Sequence, residues 1–347
     1  MIDIYSPSGK EEELVEYCFD YLQEHGLKPE LMEIEEGRSN VILWPEENAQ
    51  VVFVGHLDTV PAFDLERYES RVEEDLIWGL GAADMKGGCA ALIEAFVAWG
   101  EVHGSPPPAA LALVLGEEET GDGVHALNQT RRFPWSIVAE PTELCPCLGH
   151  YGYLEMRLTA LGERRHASMS SDEHNAIRVL LAILQSLTRY MDKERTELVY
   201  NIRDVHSSEA GFAVPDRCEA WIDIHIPPRL EVEKVQKDLL GIVNSTPGDP
   251  KASFPTVHRG YQLEDRGLVP ELLKDFWKLS GWKWLPSVFP SDSDAVLLND
   301  NGTQSIILGP GRLARAHSPA EAVSFEQVRL GAEIYLDLLE RLTEKTQ

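Results

Sequence analysis

An α/β fold with a mainly parallel sheet, plus an inserted α+β domain, is predicted by three features of the sequence. Short continuous apolar runs alternate with apolar helical stretches over the first 150 residues, the pattern of strands buried on both faces and covered by helices. Near Tyr151 this gives way to strands in which apolar and polar residues strictly alternate. After about residue 258 the buried type of element returns.

The elements follow in order. Ser8-Gly-Lys-Glu11 reads as a capping box, after which Leu14, Val15, Cys18, Phe19 and Leu22 recur at helical spacing until Gly26. Val51-Val-Phe-Val54 reads as a buried strand, Gly87 to Trp99 as a buried helix, and Ala109 to Leu115 and Ser136 to Ala139 as further strands. Beyond Tyr151, Leu154, Met156 and Leu158 alternate with polar neighbours, Asn175 to Tyr190 is amphipathic, Cys218 to Ile226 alternates again, and Glu231 to Val243 is helical. A helix over 268–280, a strand Gln304 to Leu308 and a long helix from Ser324 complete the chain. The expected organisation is a discontinuous domain of 1–150 and 259–347, interrupted by a domain of 151–258.

Composition narrows the function. The formal net charge of −27 sets nucleic acid and anionic membranes aside as partners, because such a surface repels both. No basic segment followed by an apolar run opens the chain, and no apolar stretch reaches the roughly 18 residues that span a bilayer, so a cytoplasmic protein is expected. The five cysteines are odd in number and scattered, unlike a disulfide framework. Cys145-Pro-Cys147 could be half a metal knuckle, but no second pair matches it, and reduced thiols are expected.

Four segments carry candidate chemistry, each where a strand ends, the place where sites gather in open α/β sheets. Gly55-His56-Leu57-Asp58 follows the strand 51–54; it is either a metal-binding His with an orienting carboxylate or a capped turn. Gly79-Leu-Gly-Ala-Ala-Asp84-Met-Lys-Gly-Gly88 sets a lone Asp among glycines, as a ligand or as a helix N-cap. Glu117-Glu118-Glu119 follows a strand, where three carboxylates repel one another unless cations compensate them. Glu140-Pro-Thr142 ends another strand, and Ala316-His317-Ser318 lies far downstream. Two His and at least three carboxylates suit a zinc pair.

In this order the segments resemble the acetylornithine deacetylase, succinyl-diaminopimelate desuccinylase and glutamate carboxypeptidase family of di-zinc hydrolases, over nearly the whole chain. The resemblance implies a catalytic domain holding two Zn2+ per chain, with Co2+ or Mn2+ as substitutes. His56, Asp84 and Glu140 would hold one ion, and Asp84, Glu119 and His317 the other, with Asp84 bridging. Asp58 would orient His56. Aligning Gly121 to the family's glycine makes Glu118 the general base; a slip of one residue would shift both roles. The inserted segment resembles a dimerisation or lid domain, whose His166 would reach into the partner subunit's site of a homodimer and hold the developing oxyanion. Phe212 and His225 depart from the family, standing where many members carry Asn and Arg. The implied activity is removal of an acyl group from an N-acyl amino acid, of the acetylornithine or acetyl-lysine type found in amino-acid biosynthesis. The opening Tyr5-Ser-Pro-Ser-Gly9 looks like the start of the lysine and ornithine branch. A desuccinylase and a carboxypeptidase or dipeptidase acting on a peptide-like substrate are the alternatives. A silent small-molecule-binding relative is the non-enzyme reading, but it would lack ligands that this chain keeps.

Overall fold

Four parallel strands set the direction of everything in the first unit. The computed structural model describes residues 1–45, 49–62, 68–104, 106–172, 174–209 and 211–346. They gather into two units: Met1–Leu148 with Leu263–Phe289 and Ser293–Gln347, and Gly149–Gln262 with Pro290–Asp292.

In the first unit Ala110–Val114, Val51–His56, Trp135–Val138 and Gln304–Ile307 lie side by side and parallel, so their carboxyl ends share one edge. Antiparallel strands flank them: Arg38–Leu43 and then Glu30–Glu35 on one side, Cys147–His150 on the other. The parallel strands are apolar runs because both faces are covered; Val51, Val52, Phe53 and Val54 are all buried. Phe53 meets Phe96 and Tyr335 edge-on at 5.5 and 5.8 Å, so the helices Gly87–His103 and Phe325–Thr346 share its face of the sheet.

The second unit behaves as its alternating sequence predicts. Val199–Ser207, Arg217–Ile226 and Gly152–Leu161 form an antiparallel sheet completed by Lys251–Ser253 and Val257–His258. Leu154, Met156, Leu158, Ile222 and Ile224 point to one face and pack beneath the helices Ala176–Glu194 and Val232–Ser245. Val199–Ser207 is the outermost strand and is almost wholly exposed.

Several elements were not legible. Glu30–Glu35 and Val199–Ser207 are edge strands with little apolar face, and Asp122–Thr130 and Asp294–Asp300 are short helices without a long periodic stretch. The predicted capping box is also different in fact. The first helix begins at Glu12, and Glu11 at its N-cap makes no side-chain cap. The Glu11 carboxylate instead accepts from Gly9 N at 2.8 Å and pairs with Arg38 at 2.7 Å, while the Ser8 hydroxyl turns to Asp58. All five cysteines are free thiols. Among the described residues no helix is long and apolar enough to cross a membrane.

Glycines in the Asp84 segment have two separate jobs. Gly81 adopts φ +73°, a left-handed conformation that favours glycine. Gly88 is needed for space: a Cβ there would lie 2.2 Å from the carbonyl oxygen of Ala139. Gly309 faces the same oxygen, again with 2.2 Å available to a Cβ. By contrast Gly241, in the helix Val232–Ser245, has open space around it. Gly88→Ala should therefore destabilise the first unit by about 2 kcal/mol, the usual scale of overpacking. Gly241→Ala should stabilise the second by about 0.8–1 kcal/mol, the helix-propensity difference. Denaturant titration of both variants checks the opposite signs.

Candidate metal centre

The shared edge of the four parallel strands explains how distant residues meet. His56 ends one strand, Glu117 and Glu118 follow the next, Glu140 follows a third, and the chain leaving Gln304–Ile307 leads to His317. Asp84 sits in the irregular turn Ala82–Lys86 that precedes the helix Gly87–His103, with a non-helical backbone of its own (φ −121°, ψ 93°). All of these residues belong to the first unit.

Asp84 lies between the two histidines. Its Oδ1 is 3.2 Å from His56 Nε2, and its Oδ2 is 3.4 Å from His317 Nε2. Three sets of side chains each present ligand atoms within 4.8 Å of one another: His56, Asp84 and Glu140; Asp84, Glu118 and His317; and His56, Glu117 and Glu118. His56, Asp84, Glu140 and His317 thus come together as the sequence predicts.

The glutamates come together one residue earlier than predicted. Glu119, expected as a ligand, is exposed and belongs to none of these sets. Glu118, expected as the base, stands 3.1 Å from His317 Nε2. Glu117 fills the remaining position, 3.9 Å from His56 Nε2. The physical reason lies in the backbone after the strand. Gly116 takes φ +77°, and the amides of Glu117 and Glu118 donate to the Asp58 carboxylate at 3.2 and 3.1 Å. That anchors the first two glutamates over the strand ends and leaves the third outside.

Asp58 accordingly does more than predicted, and differently. His56 Nδ1 bonds to the backbone carbonyl of Asp58 at 2.9 Å, with the carboxylate farther away at 3.6 Å. That bond leaves Nε2 facing Asp84 and fixes which nitrogen can act as a ligand. The carboxylate spends itself on the Glu117 and Glu118 amides and on the Ser8 hydroxyl, 2.7 Å away. Sequence reasoning missed Ser8 in this role and missed Asp294. Asp294 is buried at the start of a short helix, and its charge acts on Glu117 and Glu140. Its only signal is the carboxylate following Ser293, which reads as an ordinary helix start.

The electrostatics are those of charges held against their preference. Burial pushes the Glu117 carboxyl well above its usual range; His56 opposes this, while Glu140, Glu118 and Asp294 add to it. Burial and then the Asp84 charge do the same to Glu140, and burial raises Glu118 against the pull of His317. Burial also works against the charged form of Asp84, but His56 and His317 hold it below the usual range. For His56 burial opposes protonation, yet Asp84, Glu117 and Glu140 lift it well above normal. The hydrogen bond to Glu118 lifts His317 to about 9. Glu140 Oε1 is buried without a hydrogen-bond partner. Imidazole and carboxylate donors in two sets sharing Asp84, together with that orphaned oxygen, fit a pair of divalent cations.

The other predicted residues lie in the second unit. His166 caps the short helical turn Ala167–Met169, exposed, with Nδ1 2.8 Å from Ser168 Oγ. Phe212 is 95% exposed. His225 is half-buried beside Tyr153, 5.4 Å between ring centres, and its Nδ1 has no hydrogen-bond partner.

Comparison with known proteins shows the family. A probable carboxypeptidase of Neosartorya fischeri is 25% identical across the whole chain and 86% of its own length. A putative [LysW]-lysine/[LysW]-ornithine hydrolase of Pyrobaculum aerophilum is 28% identical over 96% of this chain and 93% of its own. The crystal structure of a tripeptidase from Staphylococcus aureus superposes with a TM-score of 0.80 at 18% identity, over 99% of this chain and 96% of that one. The model of the family described as Peptidase family M20/M25/M40 matches residues 52–341. The chain therefore belongs to peptidase family M20/M25/M40 and is a metallo-hydrolase that acts on amide bonds.

Proposed function

We propose that this protein removes an acyl group from the amino nitrogen of an N-acyl amino acid of the acetylornithine or acetyl-lysine type, using two zinc ions. The observation that carries the mechanism is Asp84 placed between His56 and His317, with Glu117 left beside them. His56, Asp84 and Glu140 would hold one ion, and Asp84, Glu118 and His317 the other. When bound, such ions supply Lewis acidity and a water acidic enough to lose its proton near neutral pH. Glu117 is then the general base. It takes a proton on its carboxylate and returns it to the leaving amine, as one acid–base group can. Asp58 keeps Glu117 in place through its amide, and it holds Glu118 in the same way. The products are a carboxylic acid and a free amine.

The lysine or ornithine side of this reading is supported by the Pyrobaculum relative's name and by Tyr5-Ser-Pro-Ser-Gly9. The name of the Neosartorya relative favours a carboxypeptidase as the second reading. Against it stand Phe212 and His225, where a carboxylate-gripping Asn and Arg would be expected. Five free thiols fit a cytoplasmic setting. A homodimer built through the second unit is supported by the open, exposed edge of Val199–Ser207, with Val199 57% and Val205 49% exposed, since such an edge is normally covered. In that assembly His166 would serve the partner's site as an oxyanion donor.

Three outcomes test this reading. Glu117→Gln should retain two zinc ions per chain and lose activity by at least about 100-fold, the scale of general-base loss. Glu118→Gln should lose zinc, and Glu119→Gln should change neither. Metal analysis beside steady-state kinetics separates the three, and a silent Glu117→Gln would return the base to Glu118.

For the substrate, a kinetic panel should show acetylated ornithine, lysine or citrulline cleaved faster than a C-terminal glutamate is released from peptides. A large preference for C-terminal glutamate would instead establish the carboxypeptidase reading.

For the dimer, His166→Ala and Glu117→Ala should each be nearly inactive alone. Mixing them should restore roughly a quarter of wild-type activity, because about half the dimers then carry one complete site. No recovery after mass spectrometry confirms subunit exchange would place His166 outside the partner's site.

A further inference from the structure

Glu321 is buried, 4% exposed, four residues beyond His317. Its charge acts on His317, and that of Asp84 acts on it. The carboxylate turns into the backbone of the Asp84 segment, some 240 residues away in sequence. Oε1 accepts from Ala83 N at 3.0 Å and from Asp84 N at 3.1 Å, and Oε2 accepts from Gly81 N at 3.1 Å. Its own carbonyl oxygen accepts from Gly79 N at 3.2 Å. Successive backbone amides around a left-handed glycine make a concavity that attracts an anion, and Gly81 at φ +73° supplies that shape. Here the anion is a side chain of the same protein.

The other end of this contact is equally fixed. Between His317 and Glu321 the chain is tied in a tight turn. Ser318 Oγ donates to Arg315 O at 2.7 Å, Ala320 N to Ser318 Oγ at 3.3 Å, and Glu321 N to Ser318 O at 3.1 Å. His317 itself has φ +54°, a backbone conformation rare outside glycine that persists only where surroundings enforce it. The loop that carries Asp84 and the loop that carries His317 are therefore clamped together by one carboxylate. Asp84 is the group common to both candidate ion sites, so its backbone position sets their spacing.

We infer that Glu321 is a positioning residue that sets the geometry of both ion sites by clamping the Asp84 loop to the His317 loop. The inference rests on the ligand assignment proposed above. Glutamine at this position keeps one acceptor oxygen and turns an N–H2 group toward a backbone N–H. One of the three amides loses its partner, while the size of the side chain is unchanged.

The test is zinc affinity, read by titrating metal-free protein with Zn2+ against a chromogenic chelator. Glu321→Gln should weaken both ions by roughly tenfold, the lower end of what groups behind metal ligands contribute. Ser136→Ala is the control. It removes a buried hydrogen bond of 2.8 Å to Ser305 inside the same sheet, so it should lower thermal stability and leave zinc affinity unchanged. Should Glu321→Gln not fold, Glu321→Asp carries the same test, because both oxygens remain but stand one methylene short of the amides. Wild-type zinc affinity in a folded Glu321 variant, with binding lost in His317→Ala and Glu118→Gln, overturns the inference alone. Undiminished binding in His317→Ala and Glu118→Gln overturns the ligand assignment beneath it.

Discussion

The constraint on which the site depends is the burial of like charges. Glu117, Glu118, Glu140 and Asp84 converge within a few ångströms at the carboxyl ends of parallel strands, and the charge of buried Asp294 adds to theirs. At such separations in a region poor in water, carboxylates repel by several kcal/mol per pair at an effective dielectric near 20. Two imidazoles offset part of this, which is why His56 and His317 are both drawn toward their charged forms. Glu140 Oε1 nevertheless finds no hydrogen-bond partner, with His56 Nε2 3.8 Å away. A donor set with too many negative charges and one stranded oxygen makes sense when cations complete it, and the family to which the chain belongs is one of metallo-hydrolases.

Holding such a cluster together requires a backbone that does not yield. The carbonyl oxygen of Ala139, immediately before Glu140, is closed in by Gly88 on one side and Gly309 on the other. Neither position has room for a methyl group. The helix that follows Asp84 and the loop that leads toward His317 thus rest on the strand end that delivers Glu140. Asp58 does the same work for the glutamates through their amides. In both cases the side chains that face the centre are aimed by main-chain contacts, and those contacts are the part least sensitive to what the ligand atoms themselves prefer.

This division also explains what the sequence made legible. The apolar strands, the helices that cover them and the segments at the strand ends could be read because burial on both faces leaves continuous apolar runs and because a site must lie where those runs stop. His56, Asp84, Glu140 and His317 are candidates on those grounds, and the family resemblance joins them into one site. The choice among Glu117, Glu118 and Glu119 could not be read, because three identical side chains differ only in the backbone that carries them. The φ of Gly116 and two hydrogen bonds to Asp58 decide it. Ser8 misled for a related reason. Its spacing to Glu11 satisfies the local rule for a helix cap, but a carboxylate fifty residues away offers the hydroxyl a better partner at 2.7 Å. Local rules fail where a tertiary charge competes for the same donor.

The second unit shows the opposite economy. Its core is apolar and simple, one face of a sheet against two helices, and that face fixes the register of Gly152–Leu161 and Arg217–Ile226. The outward face and the loops are not constrained in this way. Phe212 is almost fully exposed, His225 shows a ring nitrogen without a hydrogen-bond partner, and the exposed His166 ring bonds to its neighbour Ser168. Nothing in the folding of this unit requires these three identities, since none contributes to its core. A change of side chain here costs little stability, whereas a change at Asp84 or Glu140 leaves buried charge uncompensated. Phe212 and His225, the two positions that depart from the family's usual choices, both lie outside that core and can differ without disturbing its packing.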